Sequence, residues 1–130
     1  MLMAQRVAFH NGEWAPLEQT ALALDDWGHV QGATLVERMR TVNGCALDAE
    51  GHLERLRASA GMLGIRWPEN LTASLLEQCV ERNRDNHLAA DKRACDFGVV
   101  VLLTPGRASA GAAGHRPTLI VHSADMHWKA

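Results

Sequence analysis

The sequence has no tyrosine, few cysteines and no long apolar segment. Because no run of about 20 apolar residues is present, no segment is expected to cross a membrane. Residues 1–6 also lack the apolar stretch of a secretory signal. The cysteines Cys45, Cys79 and Cys95 are odd in number and widely spaced, which argues against a disulfide framework and favours the reducing cytoplasm.

The chain also lacks an excess of one charge. It has 13 Lys and Arg against 15 Asp and Glu, a net charge of −2, so nothing in the charge favours nucleic acid as a partner. The histidines are not accompanied by a carboxylate or cysteine ligand set, so no metal site is predicted. The length of 130 residues suits one compact domain with a hydrophobic core.

Two stretches have the apolar spacing of helices. The first, near residues 49–63, is expected to end at Gly64, and its apolar stripe consists of Leu53, Leu56, Ala60 and Leu63. The second, residues 71–86, has a predicted buried face of Leu71, Leu75, Leu76, Cys79 and Val80. Asn70 or Thr72 is a candidate cap for its start. Judged from the first helix alone, Arg55 is a solvated surface residue.

The rest of the chain reads as strands and turns. Asn11-Gly12 and Asn43-Gly44 are typical hairpin turns. Residues 33–42 fit a helix by periodicity, but Thr34, Val36 and Thr41 favour a strand. The predicted strands are residues 6–10, 13–15, 33–42, 97–103 and 117–122. We therefore predict an α+β fold with a mainly antiparallel sheet of about five or six strands and two principal helices.

Several spaced motifs occur between Asp26 and Ala60. In order, they are Asp26 and Gly28, Gly32, Glu37 and Arg40, Gly44, and the run from His52 to Ala60 that contains Arg55. Their order resembles the N-terminal domain of the class IV aminotransferases, the pyridoxal 5'-phosphate (PLP) enzymes of fold type IV. That family includes branched-chain and D-amino-acid aminotransferases and aminodeoxychorismate lyase. The resemblance extends from about Phe9 to Val121.

The resemblance implies a small N-terminal domain at residues 1–122, with residues 123–130 as the start of an interdomain linker. It also implies a homodimer, and PLP as the cofactor, whose phosphate is contacted by Arg55. Arginine suits this task because its planar, permanently charged fork binds phosphate oxygens bidentately.

The family's Schiff-base lysine lies in a larger C-terminal domain that this chain does not contain. The chain has only Lys92, in a polar linker, and Lys129, the penultimate residue. No catalytic residue is therefore assigned, and the 130-residue chain alone is expected to be inactive.

On the substrate side, the resemblance implies contact with an amino acid and a 2-oxo acid. The positions are Gln31, Val36, Arg38, Arg40 and Arg107. Gln31 and Val36 stand where family members often have aromatic residues. Arg107 lies in Thr104-Pro105-Gly106-Arg107, which departs from the Thr-Arg-Gly of the D-amino-acid branch.

Two alternatives remain open at the level of sequence. One is an aminodeoxychorismate lyase-like PLP enzyme, which shares the same motifs. The other is a non-catalytic module that dimerises or binds a small anion through Arg55.

Overall fold

A computed structural model describes residues 5–90 and 96–126 of the chain. Its elements are β1 (Val7–His10), β2 (Glu13–Pro16), α1 (Trp27–Val30), β3 (Leu35–Val42), β4 (Cys45–Ala46), α2 (Ala49–Met62), α3 (Ala73–Ala90), β5 (Gly98–Thr104) and β6 (Thr118–Ala124). The strands pair antiparallel in the order β2-β1-β6-β5-β3-β4. The predicted α+β class is confirmed, and the strand predicted over residues 33–42 is confirmed for Leu35–Val42.

Strand β3 has one buried face and one exposed face. Glu37, Met39 and Thr41 are buried, whereas Val36 and Arg38 are exposed. This alternation arises because successive side chains of a strand point to opposite faces of the sheet. The buried face packs against α2.

The core lies between one face of the sheet and the two long helices. Leu53, Leu56 and Ala60 of α2 are buried, but Leu63 is 52% exposed and does not belong to the stripe as predicted. Leu63 is the C-cap of α2, and Gly64 follows it with φ of +70°. The helix therefore ends at Gly64 as predicted, and Ile65 rather than Leu63 packs into the core.

All five predicted buried residues of the second helix are in the core. The helix begins two residues later than predicted, at Ala73, and extends beyond Asn86 to Ala90. The Leu75 amide lies 3.3 Å from Thr72 Oγ1, as expected for a capping hydroxyl. Thr72 rather than Asn70 is therefore the cap.

Other features also differ from the prediction, among them the short strand β4, which was not predicted. Helix α1 was not predicted, because four residues are too short to show helical periodicity. Strand β6 continues past His122 to Ala124, since Ser123 and Ala124 pair with Val99 and Gly98. The sheet thus includes the first two residues of the segment predicted as linker.

Both lysines lie outside the described residues, so the expectation that neither forms the Schiff base stays a prediction. Within residues 5–90 and 96–126, no helix is long and apolar enough to cross a membrane.

Candidate functional site

A buried carboxylate is the centre of the site. Glu37 lies on the core-facing side of β3 and is only 6% exposed. Its neighbours on that face, Leu35 and Met39, pack with the hydrophobic core. A charged group in such a position requires partners that replace its lost water.

Arg55 of α2 supplies the main partner. Its Nε donates to Glu37 Oε1 at 2.7 Å, and its Nη2 donates to Oε2 at 2.8 Å. This is a bidentate pair, the strongest arrangement of a guanidinium and a carboxylate. The two side chains differ sharply in burial, since the Arg55 side chain is 70% exposed and that of Glu37 only 7%.

His52 is the second partner of the same carboxylate. His52 and Arg55 are three residues apart on α2, so they share one helix face. His52 Nδ1 lies 2.8 Å from Glu37 Oε2. Because an ionised carboxylate only accepts hydrogen bonds, Nδ1 is the donor.

These partners determine the charge of the cluster. The hydrogen bonds from Arg55, and then the one from His52, hold the pKa of Glu37 below its usual value despite burial. Glu37 in turn raises the pKa of Arg55. The cluster therefore carries an ionised carboxylate next to a permanently charged, solvent-facing guanidinium.

The arrangement leaves one edge of Arg55 directed away from Glu37. A guanidinium has five N–H groups, and the carboxylate uses only the Nε and Nη2 side. The end formed by Nη1 and Nη2 retains donors in the fork geometry that fits phosphate or carboxylate oxygens. The residues present therefore fit an anion such as a phosphate group.

A second buried carboxylate holds a different part of the molecule. Asp26 is 1% exposed and precedes α1 as its N-cap. It accepts hydrogen bonds from Thr104 Oγ1 and Thr118 Oγ1, both at 2.6 Å, and from the Gly28 amide at 2.8 Å. Asp26 thus ties α1 to the end of β5 and the start of β6.

The loop after β5 is attached to the same junction. Arg107 Nε donates to Asp25 Oδ1 at 2.7 Å, and the Arg107 side chain is 56% exposed. The pKa of Asp25 is lowered to about 2, mainly by the hydrogen bond from Arg107. Gln31 ends α1 and is exposed. Gln31 and Arg107 therefore both lie next to α1, Gln31 at its C-terminal end and Arg107 near its N-terminal end.

The three remaining substrate-side candidates lie on β3. Val36, Arg38 and Arg40 occupy alternate positions, so they share the sheet face opposite Glu37. All three are exposed, and Arg40 Nε donates to the Thr41 carbonyl at 3.3 Å. The structure thus groups these three residues with one another but not with Arg55.

Three cavities among the described residues are not lined by Arg55. One of about 590 Å³ is lined by Asn11, Trp67 and His115, among others. Another of about 540 Å³ includes Arg57, Trp67 and Leu71. Arg107 and Arg116 line a smaller one of about 260 Å³. Arg55 lines none of the three, and its guanidinium faces solvent, in line with the surface position expected from the helix alone.

Glu37 belongs to the sequence motif described above, but the motif did not indicate a role for it. A signal was present, because Glu37 falls among Leu35, Met39 and Thr41 on the alternating inward face of β3. A single acid at such a position indicates a buried charge with a dedicated partner. Its partner could not be named from the strand pattern alone.

Both the sequence and the fold of the chain are similar to known proteins. Residues 34–130 match the family described as amino-transferase class IV. No curated protein matches the sequence. A branched-chain amino acid aminotransferase from Escherichia coli has a similar fold, with a TM-score of 0.71 at 19% identity over 97% of this chain and 41% of that one.

Two further solved structures are similar. A fold IV transaminase from Curtobacterium pusillum has a TM-score of 0.73 at 19% identity, over 95% of this chain and 44% of that one. The PLP-bound form of a hypothetical aminotransferase from Mycobacterium tuberculosis has a TM-score of 0.65 at 20% identity, over 93% of this chain and 40% of that one. The chain thus spans about two fifths of the length of these structures.

Proposed function

The chain belongs to the class IV aminotransferases, and we propose that it is the N-terminal domain of a PLP-dependent aminotransferase. The complete enzyme would transfer an amino group between an amino acid and a 2-oxo acid. In this proposal the domain contributes a ligand for the cofactor phosphate and part of the wall of the substrate pocket.

The observation that carries the proposal is the geometry of Arg55. Its guanidinium is solvent-facing, permanently charged and held on one side by Glu37. The remaining donor edge suits a phosphate group, the most highly charged part of PLP. A PLP-bound aminotransferase among the similar folds supports the choice of cofactor.

When bound, PLP supplies an electron sink for chemistry at the α-carbon of an amino acid. The tasks left to this chain are binding and orientation. Arg55 would bind the phosphate, and Glu37 would hold the Arg55 side chain. Such fixed contacts restrict the orientation of the reacting groups, which is a large part of enzymatic rate enhancement.

On the substrate side, we assign wall positions to Gln31 and Val36. Arg38, Arg40 and Arg107 are the candidates for a substrate carboxylate, because arginine pairs bidentately with carboxylates. Arg107 is the candidate with a fixed geometry, since its Nε is bound to Asp25.

The proposal includes partners for the domain. A C-terminal domain of the same protein would supply the lysine and the remaining cofactor contacts, and the complete enzyme would be a cytoplasmic homodimer. The 130-residue chain alone would then be inactive.

Replacement of Arg55 tests the phosphate assignment. In the full-length protein, Arg55→Ala should weaken PLP binding about 10- to 100-fold, because it removes charged hydrogen bonds to the phosphate. Arg55→Lys should recover only part of the affinity, since an ammonium cannot reproduce the fork. The measurement is a cofactor titration followed by absorbance, with circular dichroism as the check of folding.

Arg57→Ala is the matched control. Arg57 lies on the same helix, but its guanidinium lies over Trp67 at 5.5 Å from the ring centroid. This variant should bind PLP almost as tightly as the parent. If Arg55→Ala retains full affinity while Arg57→Ala loses it, the assignment of Arg55 is wrong.

A further inference from the structure

Arg55 has a long side chain that is largely surrounded by solvent. With 70% of that side chain exposed, packing alone does not hold the guanidinium in one orientation. Ordering such a side chain at the moment of binding reduces affinity, because rotamer freedom is lost. A group that orders it in advance would remove this cost.

Glu37 has the properties of such a group. It is anchored on β3, which pairs with the central strand β5 along residues 35–40. Its two oxygens bind Nε and Nη2 of Arg55, which defines the plane of the guanidinium as well as its position. The hydrogen bond from His52 to Oε2 fixes the orientation of the carboxylate itself.

We propose that Glu37 is a positioning residue that pre-orients the free edge of Arg55 for the phosphate of the cofactor. The inference rests on the proposed function of the domain. Glu37 does not touch the ligand in this proposal, since both of its oxygens are occupied by Arg55 and His52. Its effect on binding is transmitted through Arg55.

Stability alone does not account for a carboxylate at this position. Leu35 and Met39 are apolar neighbours on the same face, so an apolar residue at position 37 would continue the core. Buried ion pairs contribute little net stability compared with well-packed apolar residues. A role in directing an exposed cation explains why a charge occupies the inward face.

The variant Glu37→Asp separates orientation from charge. Aspartate keeps the negative charge near the phosphate but is one methylene shorter, so it cannot reach both Nε and Nη2 as Glu37 does. In the full-length protein, PLP affinity should fall about three- to tenfold, as expected when a flexible side chain is no longer pre-ordered. Binding of pyridoxal, which lacks the phosphate, should stay unchanged.

The Arg55→Ala background provides the matched control. If Glu37 acts through Arg55, Glu37→Asp should cause no further loss of PLP affinity once Arg55 is absent, as a double-mutant cycle would show. An independent readout is the Arg55 Nε–H signal in NMR spectra. Its exchange with water should be slow in the parent and fast in Glu37→Asp.

Four results would contradict these proposals in distinguishable ways. Unchanged PLP affinity in Glu37→Asp, with the parent binding PLP normally, overturns the positioning role alone. An equal loss of pyridoxal and PLP affinity, or the same loss in the Arg55→Ala background, shows that Glu37 is only structural. A full-length parent that binds no PLP overturns the proposed function itself, and the positioning role with it.

Discussion

Among the residues that the structure describes, two buried carboxylates have nearly equal burial but different partners. Asp26 is 1% exposed and Glu37 is 6% exposed. Asp26 accepts from two hydroxyl groups and a backbone amide, all of which are neutral. Glu37 accepts from a permanently charged guanidinium that faces solvent, and from an imidazole.

The partners indicate what each acid does. The donors of Asp26 belong to α1, β5 and β6 and are themselves buried, so Asp26 joins three parts of the chain into one junction. The main donor of Glu37 is exposed, so Glu37 controls the direction of a group that solvent and ligands can reach. Removing Asp26 should therefore mainly lower the stability of the fold, whereas removing Glu37 should mainly weaken ligand binding.

The largest effect on stability is expected for Asp26→Ala. The two threonine hydroxyls and the Gly28 amide would lose their acceptor inside the protein. We expect the free energy of unfolding to fall by about 3 kcal/mol, measured by urea denaturation. Asp26→Asn is the control, because it keeps one acceptor oxygen and Thr118 Oγ1 can accept from its amide, so the loss should be about 1 kcal/mol.

If the parent and Asp26→Ala were equally stable, Asp26 would not be what holds α1, β5 and β6 together. The outcome would mean that the hydroxyls of Thr104 and Thr118 find other acceptors without cost.

A smaller effect is expected for Gly28→Ala, which tests the packing around Asp26. A methyl group at Gly28 would lie 2.5 Å from Thr104 Cγ2 and 2.6 Å from Thr34 Oγ1. Such overpacking should lower the free energy of unfolding by about 2 kcal/mol. The check is again urea denaturation.

Gly61→Ala is the control for this substitution. Gly61 lies within α2, and no atom is near enough to meet an added methyl group. This variant should be roughly 0.5–1 kcal/mol more stable than the parent, because alanine favours the helix. A loss at Gly61 as large as that at Gly28 would mean that crowding is not the cause.

The smallest effect concerns the pH dependence of stability near Glu37. Arg55 and His52 lower the pKa of Glu37 in the folded protein relative to about 4.3 in an unfolded chain. Between these two values the unfolded chain binds more protons, so stability falls as the pH falls. The contribution is complete above about pH 4.3 and disappears below the folded pKa.

Glu37→Gln should remove this contribution. At neutral pH we expect a loss of roughly 1 kcal/mol, and the difference from the parent should shrink as the pH is lowered below about 4. Urea denaturation at a series of pH values measures it. A constant difference from pH 7 to pH 3 would contradict the pairing of Glu37 with Arg55.

The local elements could be largely predicted from the sequence. Leu53, Leu56 and Ala60 recur at helical spacing and are buried, whereas Leu63 follows the same spacing but is exposed. Leu63 is exposed because it is the C-cap of α2, where Gly64 ends the helix and the helical repeat stops. Helix α1 could not be predicted, because its four residues are held by Asp26 rather than by an amphipathic pattern.

The candidate site was only partly predictable. Arg55 was identified from a motif, and its solvent exposure matches the interpretation of the helix alone. Its pairing with Glu37 was not predicted, because the two residues are 18 positions apart and belong to different elements. The substrate-side residues Val36, Arg38 and Arg40 share a face by the alternation of β3, which the sequence does indicate.

By itself, the sequence determined the alternation of residues 35–42, the helical spacing of α2 and α3 and the turn at Asn43-Gly44. These features follow from the fixed repeats of the backbone, which act over a few residues. Only the tertiary structure decided which donors meet the buried acids. Thr104 and Thr118 are 78 and 92 residues from Asp26, and only the pairing of distant strands brings them within hydrogen-bond distance.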